Sequence, residues 1–211
     1  MRTSTEQQMK GLALVIVALT LTGCMSLLPC QKNDAVSVPP VSTCLSERKK
    51  LLDQDLDTFD QAPHGLRSVY TNALSCKLAA AELIEEYRLL HPEVSKEFNS
   101  YLLYWHEGQL RAETGDYESA AKLFEQARMA EDVNEEVRVT WNLYVDATKA
   151  FVQRDWESLI LARRKLATVP AKYLLGSKFP PNLHVVDGLV RCFERTYADA
   201  YQMCRAPRDM K

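Results

Sequence analysis

From residue 44 onward, apolar residues recur every three to four positions, the spacing of one face of a helix. Leu45, Leu52, Leu56 and Phe59 line a first helix that Pro63-His64-Gly65 ends. Leu66, Val69, Tyr70, Ala73, Leu74, Leu78, Ala81, Ile84 and Tyr87 define a long second helix stopping near His91-Pro92. A third runs from about Glu93 to Thr114, and Gly115-Asp116 makes a turn in which Asp116 is placed to N-cap a fourth helix to Ala130. Asp132 with Glu135 reads as a capping box opening a fifth helix to about Gln153. A sixth spans Trp156 to Thr168, residues 170–181 form a proline-bearing loop, and a seventh runs from Asn182 to Cys204. The connections are mostly short, which implies antiparallel neighbours. The expected fold is all-α, with about seven helices.

Before residue 44 the pattern changes. Arg2 and Lys10 precede an apolar run, Leu12 to Leu21, interrupted only by Thr20. A bilayer span needs roughly 20 apolar residues, so this run reads as the core of a signal peptide over residues 1–23. Glu6 is unusual in such a segment, and Met9-Lys10-Gly11 offers a more compact alternative start. The run ends in Leu21-Thr22-Gly23-Cys24, which resembles the lipobox of bacterial lipoproteins. The resemblance implies that Cys24 carries diacylglycerol and an N-acyl chain. Each buried CH₂ contributes about 0.8 kcal/mol, so two or three chains make a durable anchor. By resemblance to enterobacterial lipoprotein sorting, Met25 in place of Asp favours the outer membrane over inner-membrane retention. Residues 24–43 hold Pro29, Pro39 and Pro40 and show no helical period, as expected of a tether. The organisation is then signal (1–23), lipidated tether (24–43), helical domain (44–204) and short tail (205–211).

Composition narrows the reading. Seven glycines in 211 residues, with Ala, Leu, Glu, Lys and Arg abundant and Val and Ile sparse after residue 45, favour helix over sheet. A net charge of −2 gives no electrostatic footprint for nucleic acid. With Cys24 committed to lipid, Cys30, Cys44, Cys76, Cys192 and Cys204 remain, an odd number in an oxidising compartment. Cys30 to Cys44 is an easy pairing through the tether, and free buried thiols are an equal alternative. Cys192 and Cys204 in one unbroken helix would stand about 18 Å apart, beyond disulfide reach unless the helix breaks.

Within the helical body, Tyr101 to Asp132 resembles a tetratricopeptide repeat. The matching positions are Tyr104, Gly108, Gly115-Asp116-Tyr117, Ala120, Phe124 and Ala127. Glu107 and Arg111 depart from the usual apolar residues, and Asp132 replaces the usual proline. A second, weaker unit from Thr140 to Pro170 matches at Leu143, Ala147, Ala150, Asp155-Trp156 and Pro170, with Arg154 where Gly is usual and Arg163 at an aromatic site. The resemblance implies an α-solenoid whose last helix acts as a cap. It further implies a concave groove lined by Leu102, Trp105, Gln109 and Ala112 in the first unit and by Trp141, Tyr144, Thr148 and Phe151 in the second. Trp105 and Gln109 stand where some such repeats carry a carboxylate clamp, so a C-terminal carboxylate is not the implied ligand. Packing of the same aromatics in a core, or under the capping helix, is the competing expectation.

No chemistry-bearing motif emerges. His106-Glu107 begins like a zinc-protease motif, but Leu110 stands where the second histidine is needed. Neither a nucleophile elbow, a phosphate loop nor a CxxC pair occurs. The sequence therefore leads to a non-enzymatic protein without metal or cofactor, anchored to the outer membrane by lipid and facing the periplasm. Two functions follow: an adaptor binding protein partners during assembly of a secretion, pilus or outer-membrane machine, or a regulator of a cell-wall or other envelope enzyme.

Overall fold

A computed structural model describes residues 44–70, 74–96 and 99–205. The expectations for the signal peptide, Cys24, the tether and Cys30 lie outside the described residues, as does the tail after Arg205. Nine α-helices are found among the described residues: α1 (Arg48–Leu52), α2 (Leu56–Gln61), α3 (Leu74–Leu90), α4 (Ser100–Glu113), α5 (Tyr117–Gln126), α6 (Glu135–Val152), α7 (Trp156–Ala167), α8 (Leu183–Arg191) and α9 (Tyr197–Gln202). Short 3₁₀ turns occupy Leu66–Ser68, Pro92–Lys96 and Ala171–Leu174. The described structure is thus all-helical.

The differences from the sequence expectation have local causes. The first expected helix divides because Asp55 turns out to be an N-cap: its carboxylate accepts from Thr58 N at 3.0 Å and starts α2 afresh. The second begins at Leu74 rather than Leu66, the chain from Leu66 forming a 3₁₀ turn first. The third begins at Ser100, after a 3₁₀ turn opened by Pro92. α5 ends at Gln126, four residues early. The cap of α6 is Asn134, whose side chain accepts from Glu136 N and Val137 N, and not the box at Asp132. Asp116 does cap α5, accepting from Ser119 N at 3.2 Å.

The expected seventh helix is broken into α8 and α9. Arg154 lies outside the expected helix yet explains the break. Its guanidinium donates to the carbonyls of Phe193 and Arg195, taking both from the helical ladder. Thr196 then caps α9 through its hydroxyl, which accepts from Asp199 N at 3.2 Å. The reversal brings Cys204 back to Cys192, and the two form a disulfide at a Cα separation of 6.3 Å. Gly188 permits the crossing, since a Cβ there would stand 3.0 Å from Arg205 N. The 18 Å separation holds for a continuous helix only. Cys44 pairs with Cys76 at a Cα separation of 5.3 Å, and not with Cys30. This tie fastens the start of the domain to α3.

Two apolar cores share α4. Leu103 and Leu110 face a core built with Leu52, Phe59, Leu83, Ile84 and Tyr87. Trp105 and Ala112 face the larger core of α5 to α9. A helix that buries both faces has little room for bulk at its crossings. At Gly108 a Cβ would meet the Phe124 ring at 2.8 Å, so only glycine lets α5 lie this close. α4 packs on α3 and α5, α6 on α5 and α7, α8 on α6 and α7, and α9 on α8 and α4.

Candidate functional site

The expected groove residues come together on one side of α4 and α6. Trp105 lies 5.1 Å from Trp141 and 4.7 Å from Tyr144, and Tyr101 meets Trp141 edge-on at 5.0 Å. Trp141 donates its indole N–H to the Ala127 carbonyl at 2.7 Å, which holds the ring against the end of α5. This is an aromatic wall held in one arrangement by packing and hydrogen bonds.

Most of that wall is closed. Trp105, Tyr144, Thr148 and Phe151 are buried, as is Ala112. α9 lies over them. Tyr197 is fully buried against Phe124 and Phe151, its hydroxyl accepts from Gln109 Nε2 at 3.4 Å, and it stacks on Tyr201 at 5.4 Å. Burial pushes the Tyr144 and Tyr197 phenols well above the ordinary range, and the neighbouring Tyr201 adds to both shifts. Leu102, Gln109 and Trp141 stay half-buried, so the open part of the wall is its Tyr101–Leu102–Trp141 end. The eight expected residues therefore do not form one open groove. The occupying stripe Tyr197, Ala200 and Tyr201 has helical spacing in the sequence, but on an unbroken helix it could not have turned back over α4.

On the opposite face of α4 the structure holds a polar cluster that the sequence showed only as departures from a pattern. Glu107, 1 % exposed, is gripped by Arg88 from α3 and by Arg111 Nε at 2.8 Å. Arg111 also meets Glu85 at 2.9 Å, and Arg88 lies 4.3 Å over the Tyr104 ring. Next to Glu107 in the chain, His106 Nδ1 donates to the buried Asp60 at 2.7 Å, tying α4 to α2. These groups join helices to each other. Among the described residues no group of three or more His, Cys, Asp and Glu side chains could hold a metal ion. Nor is any helix there long and apolar enough to cross a membrane. Comparison with protein-family models, with curated proteins and with solved structures finds no match for this chain.

Proposed function

We propose that the chain is an exported, lipid-anchored scaffold that binds a protein partner during assembly of a larger envelope complex. In this reading α4–α5 and α6–α7 are two tetratricopeptide-like units in an α-solenoid, with α8 and α9 as its cap. The Gly108–Phe124 crossing and the aspartate caps at Asp116 and Asp155 support that arrangement. Export is supported by the cysteines. Cys44–Cys76 and Cys192–Cys204 suit an oxidising compartment and leave Cys24 and Cys30 outside the two pairs. Cys24 then carries the lipid, at the outer membrane, with the domain in the periplasm.

The observation that carries the binding role is the aromatic wall, whose Leu102 and Trp141 remain half-exposed above α9. Rigid aromatics at the edge of a buried cluster are the usual anchors of a protein partner. Tagged chain purified from detergent-solubilised envelopes should retain a partner, and Leu102→Asp should lose it without a change in melting temperature. A partner retained equally by that variant would sink the assignment to this surface.

A further inference from the structure

α5 and α7 open with the same local device, and they end up covered to different extents. Each follows a residue in the left-handed region, Gly115 at φ 89° and Arg154 at φ 58°. Each is capped by an aspartate that accepts the amide three residues on, and each begins with an aromatic residue. Tyr117 is covered. Arg154 lies 5.3 Å over its ring, and its hydroxyl accepts from Tyr197 N at 3.0 Å. Trp156 is 46 % exposed, with Phe193 beside it at 5.2 Å.

From Trp156 a shallow groove runs between α7 and α8. Trp156, Ile160, Val190 and Phe193 form its apolar floor. Ile160 lies one turn beyond Trp156, and Arg163 and Arg164 a further turn on, so the α7 side is a single helical face. The rim is basic. Arg163 is paired with Asp187 at 2.8 Å, and Arg191 is spent on the Cys204 carbonyl. Arg164 and Arg195 make no ion pair among the described residues, and Glu194 is the remaining carboxylate in the lining. This is a positive surface on a chain of net charge −2.

We infer that the α7–α8 groove seats an acidic amphipathic helix belonging to another protein. A groove walled by α7 on one side and by α8 with the turn after it on the other, with an apolar floor and a charged rim, accepts such an element along its own apolar stripe. The counterpart groove between α5 and α6 has its lysines paired, Lys122 with Glu118 and Lys149 with Glu125, whereas the α7–α8 rim keeps Arg164 and Arg195 without an ion pair among the described residues. The inference deepens the protein-binding reading and uses residues distinct from the Leu102–Trp141 wall.

The test is a fluorescence-anisotropy titration of full-length chain carrying Cys24→Ser with a labelled synthetic helix. The probe has Leu at i, i+4 and i+7 flanked by Glu, and its control has Lys for every Glu. Saturable binding of the Glu probe is expected. It should weaken at least tenfold with Arg164→Glu/Arg195→Glu and with Trp156→Ala, and be unaffected by Leu102→Asp. All of these variants should keep the parent circular dichroism. Equal binding by parent and variants would overturn the inference. A dimer dissociated by Trp156→Ala would overturn it in favour of a second copy. Flotation with phosphatidylglycerol vesicles, lost in the arginine variant while the probe fails to bind, would overturn it in favour of a lipid surface. Failure of the probe with an intact Leu102-dependent partner would leave the wall assignment standing and remove this one.

Discussion

Replacing Glu107 by alanine should be among the most damaging single changes in the domain. Its side chain is 2 % exposed and lies between Arg88 and Arg111, which are 20 % and 15 % exposed. Removing one partner of a buried ion pair costs roughly 3–5 kcal/mol, because the charges left behind have lost both water and counter-charge. Two features place this case at the lower end. Arg111 keeps Glu85 at 2.9 Å and Asp116 at 3.6 Å, and Arg88 keeps the Tyr104 ring. A loss of about 3 kcal/mol, at roughly 2–4 °C per kcal/mol for a domain of this size, lowers the melting temperature by about 6–12 °C. Thermal circular dichroism with disulfides intact measures it. Adding salt should leave the loss in place, since a buried carboxylate is little screened. Glu107→Gln keeps the shape and should fall between parent and alanine. A Glu107→Ala shift under 2 °C, or Glu107→Gln melting like the parent, would show that the arginines are solvated and the network is superficial.

Gly108→Ala should cost about 1–3 kcal/mol by overpacking against Phe124, whose ring stands 2.8 Å from the added Cβ; a neutral result in denaturant titration would refute the close crossing. Cys192→Ser/Cys204→Ser should cost about 3 kcal/mol from the released loop. The same pair of changes should raise tyrosine accessibility as α9 loosens, and unchanged hydrogen exchange at Tyr197 would refute its dependence on the tie. Asp55 and Asp155 are held below the usual carboxylate range by the amides of Thr58 and Ser158. A depressed folded pKa contributes stability above the unfolded value and loses it as pH falls through the folded one, so Asp155→Asn should flatten the acid limb below about pH 4. Full-length Cys24→Ser should leave the membrane fraction while keeping the parent circular dichroism; retention after a high-salt wash would refute the lipid anchor.

The sequence by itself determined what acts within a turn or two of chain. Helical periodicity from residue 44 and the Gly115-Asp116 turn depend on neighbours a few positions away, and the structure carries both. Caps mispredicted at Asp132 and missed at Asp55 show how little separates one short polar side chain from the next when only local chain is considered. Pairings across the fold were decided elsewhere. Asn182 to Cys204 has the apolar spacing of one helix, and it breaks because Arg154, some forty residues upstream, binds the Phe193 and Arg195 carbonyls. That break is what lets Cys204 reach Cys192 and α9 cover Phe151 and Tyr144. Glu107 and Arg111 look misplaced on α4 until α3 supplies Arg88 and Glu85. Burial of a charge or a ring is decided by what packs on it, and here the partner side chains come from helices distant in sequence.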